Sequence, residues 1–343
     1  TSAETVANNS LRAQNRAYQM AEAALQQFIM RRSEAGWCTN CVTDPAVADS
    51  EWSTVNLQGG YARVVALRVR PKLSDGSPAL FYIISTGTDT MARLSGSGNA
   101  LLASRSVGTY ATFNTPGIKA VGAWFSFSGI TNSSTGSVAP VGGADDCGAA
   151  AAIAGIVIPS GGQYNGSGPK PTGTPATDSS MSIDSMKKRV GIDWNAIVNY
   201  DALPADVTIP SGSFPSVIQF ADTSYWPVIH LKQSYTIPRD GRGIIIADSD
   251  LTFASNNVWD GIVLVGGRLV SRGSDTTTGV VFSGLNRMLP GATNPANNTT
   301  VDNDTIRQTK RFRYSSCKVS RASERLKYYF AFTNAWSDNV AVW

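Results

Sequence analysis

From about Val6 to Arg32 the chain runs without Gly or Pro and is rich in Ala, Leu, Gln, Glu, Met and Arg, residues that lose little rotamer freedom in a helix. Leu11, Tyr18 and Leu25 recur at a seven-residue interval. Ala7, Ala21 and Phe28 follow the same spacing beside them, and together they make one apolar stripe. Arg12, Asn15, Arg16, Glu22 and Gln26 sit mostly off it, and Gly36 supplies a stop. The periodicity predicts a helix with one face to bury. It does not say what the face meets.

The pattern then changes to strand chemistry. Tyr61–Arg70 alternates Val64, Ala66, Leu67 and Val69 with Arg63, Arg68 and Arg70. Ala79–Gly87, Leu101–Val107 and Ala120–Phe127 are further β-branched or apolar runs, separated by Gly, Ser, Asp and Asn clusters. Such close spacing predicts an antiparallel meander laid over the first helix. Thr131–Ser180 is dominated by Gly, Ser, Pro, Ala and Asn and reads as loops around one apolar island, Ala149–Pro159. Ser182–Asn199 reads as a short helix with Ile183, Met186, Val190 and Ile197 inward.

An internal repeat follows. Gly243-Ile-Ile-Ile-Ala, Gly261-Ile-Val-Leu-Val and Gly279-Val-Val-Phe-Ser fall 18 residues apart, with Leu251–Phe253 and Leu269–Val270 at matching offsets. A coil of that length with Gly at its corners predicts a β-solenoid rung, whose apolar positions stack on the next. Evenly spaced antiparallel hairpins are the alternative. Further on, Arg311–Ser316 reads as a strand and Cys317–Ala331 as a helix, with Trp336 and Trp343 packing the end of the chain.

Composition places this pattern outside the cytosol. Charged residues make up only 16% of 343 positions, and the long Gly/Ser/Thr/Asn stretches favour a loop-rich, extracytoplasmic β protein. Four cysteines suit two disulfides in an oxidising compartment. A Cys38-Thr-Asn-Cys41 redox or metal motif is disfavoured, since no second CxxC exists and His230 is the only histidine. No apolar run approaches the roughly 20 residues of a membrane helix. The opening Thr1-Ser2-Ala3-Glu4 reads as a cut edge.

The helix carries a resemblance as well as a period. Ala7-Asn8, Arg12, Arg16-Ala17 and Ala21-Glu22-Ala23-Ala24-Leu25 resemble the start of PilX-like minor pilins of type IV pili. The stretches YIISTGT from Tyr82, GGADDCG from Gly142, GRGIIIADSDLTF from Gly241, WDGIVLVGG from Trp259, GVVFSGLN from Gly279 and Tyr314-Ser-Ser-Cys317 resemble blocks of the larger members. The resemblance implies an α+β fold: a long N-terminal helix packed on an antiparallel sheet, with a large β-rich, solenoid-like insert. It divides the chain into a pilin-like module at 1–130, an insert at 131–306 and a C-terminal return at 307–343. It implies an upstream hydrophobic helix, inner-membrane anchoring with a periplasmic domain before assembly, and an extracellular place in the pilus afterwards. Leu11, Tyr18, Ala21, Leu25 and Phe28 would then be the face that packs on neighbouring pilins. Cys147 would pair with Cys317, because both lie in family-like blocks, and Cys38 with Cys41 locally.

The expected role is assembly and ligand contact near a pilus tip. Its partners are other minor pilins, the major pilin and a tip adhesin. No catalytic role, metal or cofactor is expected, because the chain holds no GxSxG elbow, Walker loop or HExxH motif. Asp145 and Asp146 form a carboxylate pair too sparse to specify calcium, and Asp248 and Asp250 suit a coil corner as well as catalysis. DNA is the rival partner. Lys318, Arg321 and Arg325 fall on one helical face, inside a segment that also holds Arg307, Lys310, Arg311, Arg313 and Lys327 with Glu324 as its one acid. Tyr314, Tyr328 and Tyr329 lie among them. That alternative is a competence-associated pilin contacting DNA during uptake; a further one is a β-solenoid adhesin unrelated to pili.

Overall fold

A computed structural model describes residues 2–30, 53–71, 73, 77–91, 103–114, 118–200, 203, 205–253, 256–274, 276–292, 303–326 and 328–338. Cys38, Cys41 and Trp343 lie outside these residues. The chain divides into two compact units, one of Thr1–Thr115 with Leu326–Trp343, the other Pro116–Arg325. This division differs from the boundaries expected at 131 and 306: strands Gly122–Ser126 and Arg311–Tyr314 pair within the parallel sheets of the second unit.

The first unit contains helix α1 (Ser2–Met30) and four strands, β1 (Ser53–Leu57), β2 (Gly60–Arg70), β3 (Ala79–Asp89) and β4 (Ala103–Asn114). With the final strand Tyr328–Asp338 they form a five-stranded antiparallel sheet in that order. The final strand corrects the helix expected to run to Ala331. That helix stops at Ser323, and Tyr328–Ala331 pairs with β4 instead, as β-favouring residues do beside an open strand. The core joins Ala21, Ala24, Leu25 and Phe28 to Phe81, Ile83, Val107 and Tyr329, and the Phe28 and Tyr329 rings stack 5.5 Å apart. Full burial of a Leu or Phe side chain stabilises by about 1.5–3 kcal/mol. The helix lies close because small residues meet: a Cβ on Gly87 would stand 2.0 Å from the Ala17 carbonyl oxygen.

The second unit is built on parallel pairing. Its larger sheet holds ten strands and its smaller one six. Strands Val228–Leu231, Gly241–Ala247, Trp259–Val265 and Thr276–Ser283 stack in parallel register. Each is followed by a short strand of the six-stranded sheet: Tyr235–Ile237, Leu251–Phe253, Leu269–Ser271 and Asp304–Gln308. One turn of 18 residues is thus one coil, with Gly243, Gly261 and Gly279 directly paired. These glycines lie inside strands and not at corners. Their φ values are +112°, +130° and +142°, and a Cβ on Gly261 or Gly279 would stand 2.2 or 1.8 Å from the carbonyl oxygen of the glycine one coil earlier. Between the sheets, Ile244, Ile262 and Val280 are buried on one another.

The coil nearest the start of the unit closes this stack from the other side. Gly122–Ser126 pairs with Thr276–Ser283, Ile130–Ser134 pairs with Asp304–Gln308, and Ala154–Val157 continues outward. The chain therefore lays down one end of the stack first, crosses to the far end near Val207, and returns coil by coil to meet its own beginning. These observations overturn the expected class of a helix on a single antiparallel sheet. Among the described residues there are three sheets, two of them parallel, and strand outweighs helix by 42% to 21%. The physical reason is visible in Gly122–Ser126. All five of its residues are buried, as in a strand covered on both faces, where a meander strand would show one wet face. The helix expected over Ser182–Asn199 is likewise two, Ile183–Val190 and Trp194–Tyr200, broken at Gly191 in the left-handed region.

Where the two ends of the stack meet, the core becomes polar. Asp304 is completely buried and accepts hydrogen bonds from Ser126 Oγ at 2.6 Å, Ser283 Oγ at 2.5 Å and the Leu269 amide at 2.6 Å. Trp124 Nε1 donates to Ser283 Oγ at 2.8 Å, and Arg287 donates to the Phe127 carbonyl. Burial pushes the Asp304 carboxyl up to about 6; the hydrogen bonds and the Arg287 charge pull the other way and only partly offset it.

Candidate interaction surfaces

The basic segment runs from Arg307, exposed on strand Asp304–Gln308, into strand Arg311–Tyr314, which runs parallel to Thr276–Ser283. Ser315 then caps a helix, Ser316–Ser323, by accepting from the Lys318 amide. Val319 and Ala322 are its buried face, laid across the glycine column: a Cβ on Gly261 would stand 3.3 Å from that of Ala322. The opposite face carries the cations, yet most are already engaged. Lys318 Nζ pairs with Asp260 at 2.7 Å and lies 5.9 Å from the Trp226 ring centroid. Arg325 pairs with Asp206 at 2.7 Å, and Arg313 donates to the Ala139 carbonyl at 3.0 Å. Lys310 is fully buried, bonded to the Asn257 carbonyl and 5.0 Å from the Phe253 ring centroid. Only Arg321 of the three candidate DNA contacts is exposed without a charge partner among the described residues.

The aromatics assigned to the same surface are withdrawn from it. Tyr314 and Tyr329 are each 7% exposed, Tyr329 within the core of the first unit, and burial raises the pKa of both phenols. The Tyr328 side chain lies outside the described residues. Along the chain Glu324 is the one acid of this segment; the fold adds two more. Asp206 and Asp260 come from coils more than fifty residues away.

On α1 the outcome is a division of the expected face. Ala21, Leu25 and Phe28 are buried on their own sheet, Tyr18 is half-buried, and Leu11 is 58% exposed. The buried stripe is Ala13, Ala17, Met20, Ala21, Ala24, Leu25 and Phe28. Three of the five residues assigned to neighbouring subunits thus serve the chain's own core. Residues Ala7–Arg12 are all exposed. Arg16 belongs to the family-like block and pairs at 2.7 Å with Asp89, whose side chain is fully buried.

No family model, curated protein or solved structure matches this chain.

The remaining chemical candidates also find partners within the chain. His230 is buried, with Nε2 2.7 Å from Asp248 on the next coil. Asp250 takes the Arg268 amide and guanidinium one coil on. Cys147 and Cys317 stand at bonding distance, Cα atoms 6.2 Å apart. Beside them, Asp145 accepts from the Ser316 amide and hydroxyl and from the Ala150 amide at 2.7–2.8 Å. Desolvation raises the Asp145 pKa, but these bonds and one from Cys147 outweigh it and hold the carboxyl at about 2. Among the described residues no helix is long and apolar enough to cross a membrane.

Proposed function

We propose that the chain is the head of a PilX-like minor pilin, which enters the pilus through the exposed start of α1 and presents the parallel coils for ligand contact. The observation that carries this reading is the split along α1. Its second half is consumed by its own sheet, whereas Ala7–Arg12 remain exposed with Leu11 58% open. A helix whose first turns stay exposed ahead of the stretch buried on its own sheet has a surface left for another subunit. The resemblance of Ala21–Leu25 and its flanking residues supplies the identity of that subunit.

The test is incorporation. In the encoding bacterium, Leu11→Arg should remove the protein from sheared pili while leaving the purified head's melting temperature unchanged. A head that is absent from wild-type pili, and whose deletion leaves pilus number unaltered, overturns the reading. The DNA alternative draws no comparable support, since two of its three named cations are paired with acids of their own unit.

A further inference from the structure

We infer that Asp145 is a fixed charge that filters thiol exchange at the Cys147–Cys317 bridge, slowing anionic thiols relative to cationic ones. Cys147 and Cys317 are bonded and both are exposed. Exposed disulfides are ordinarily the labile ones, because an incoming thiolate reaches them freely. This one has a carboxylate at its side. Asp145 Oδ1 and Oδ2 stand 3.4 and 3.5 Å from Cys147 Sγ. Asp145 accepts from the Ser316 amide and hydroxyl, next to Cys317, and from the Ala150 amide beyond Cys147. These partners are uncharged, so they fix the negative charge in place without cancelling it. With its pKa held at about 2, the group stays ionised at neutral pH. Its neighbour Asp146 differs, lying within Coulombic reach of the Arg313 guanidinium.

The charge acts on both routes of exchange. A thiolate attacks one sulfur in line; a new S–S bond forms, the old one breaks, and the other sulfur leaves with the electron pair as a thiolate. A second thiol then displaces the first, so the bridge is reduced and two reagent thiols are oxidised to their disulfide. Attack on Cys147 brings the incoming charge up to Asp145. Attack on Cys317 expels Cys147 as a thiolate 3.4 Å from the same carboxylate. The Cys317 amide, 3.2 Å from Cys147 Sγ, offers that thiolate a donor, but the nearby Ser316 hydroxyl is already given to Asp145. Attack on Cys147 has the better leaving group, since Cys317 lies in the first turn of helix Ser316–Ser323, where a thiolate is favoured. Its rate then depends on the charge of the nucleophile. Like charges about 5 Å apart at a wet surface slow the approach on the order of fivefold per unit charge.

The experiment reduces the bridge of the purified chain with three thiols whose thiolates differ in net charge: cysteamine (neutral), mercaptoethanol (singly negative) and mercaptoacetate (doubly negative). Alkylation and mass spectrometry of the Cys147 and Cys317 peptides give each rate. Comparing variant with parent for one reagent cancels its intrinsic nucleophilicity. Asp145→Asn should accelerate mercaptoacetate at least about fivefold more than cysteamine, with mercaptoethanol between them. Asp146→Asn should shift that selectivity by less than about twofold. In the parent, raising salt from about 0.02 to about 0.5 M should speed mercaptoacetate and leave cysteamine nearly unchanged. Equal acceleration of all three thiols by Asp145→Asn would show only a loosened loop and overturn the filter. So would no acceleration, or an equal loss of selectivity in Asp146→Asn. A mercaptoacetate rate indifferent to salt in the parent would overturn it without any variant. The filter belongs to the purified chain, so its failure leaves incorporation through Leu11 standing.

Discussion

The coils between Val228 and Ser283 and the seam where Gly122–Ser134 closes on them are built from the same parallel pairing, but the seam adds a buried polar cluster to its apolar packing. In the coils, Ile244, Ile262 and Val280 repeat one apolar residue at one height, and each backbone finds its partner a coil away. At the seam the ladder joins Val281 to Trp124 and Thr305 to Thr131, and beside the packed rings of Phe125 and Phe282 the core takes in a buried carboxyl with two serine hydroxyls. An apolar stack is satisfied by any neighbour of the right shape, so it specifies a period without specifying an end. Asp304 needs Ser126, Ser283 and the Leu269 amide at once, and only one closure supplies all three.

The comparison breaks most severely at a glycine. Gly261→Val would place a Cβ 2.2 Å from the Gly243 carbonyl oxygen, at φ +130°, and neither neighbour is a side chain that can turn away. A loss on the order of 5 kcal/mol or more is expected, seen as a collapsed thermal transition of the second unit. A melting temperature within about 2 °C of the parent would mean that the coils are not stacked at this distance. Removing the bridge should act on the other region. Cys147 and Cys317 are 170 residues apart, so the chain-entropy model gives the cross-link about 5 kcal/mol at most. Cys147→Ser with Cys317→Ser should lower the urea midpoint and speed amide exchange at the seam, in Trp124–Phe127 and Asp304–Ile306. Exchange at Ile244–Ile246 should change least. Uniform acceleration would show that the seam has no separate stability.

The third test uses pH. Asp304 has a pKa of about 6 in the fold against an ordinary 3.8, so the folded state holds its proton more tightly than the unfolded one. The contribution of Asp304 to stability is therefore greatest below about pH 4, is lost as pH rises from about 4 through 6, and changes no further above that. The fall is about 3 kcal/mol. Asp304→Asn removes the titration, and the difference in unfolding free energy between pH 4 and pH 7 should shrink by about that amount. An unchanged difference would place the titrating group elsewhere.

The same contrast explains what could be read from residues alone. The 18-residue spacing was visible because each coil repeats both its glycine and its apolar triplet. The seam was not, because Trp124 and Val281 share no pattern and are 157 positions apart by number. Ala120–Phe127 therefore read as one more meander strand. Tyr328–Ala331 reads as helix because Val319, Ala322, Leu326 and Tyr329 keep a helical spacing; the β preference of the aromatics and the open edge of β4 outweigh it. On α1 the period found the buried face but not its partner. The alanines at 13, 17, 21 and 24, small enough to admit a sheet at Gly87, were the available signal.

The smallest expected effect concerns the helix that lies over the coils. Lys318 and Asp260 are 38% and 25% exposed as side chains, and such pairs contribute about 0–1 kcal/mol. Asp260→Asn should move the melting temperature by no more than a few degrees, far less than a change at the glycine beneath or at Asp304. Its value lies in the charge it frees. If the basic face were a DNA site masked by this pair, Asp260→Asn would strengthen duplex binding and steepen its salt dependence by about one phosphate. The expectation is no duplex binding at about 0.15 M salt in either protein. Parent binding that rises with Asp260→Asn and falls with Arg321→Glu would return DNA to first place, because only a surface that touches phosphate responds to both changes in opposite directions.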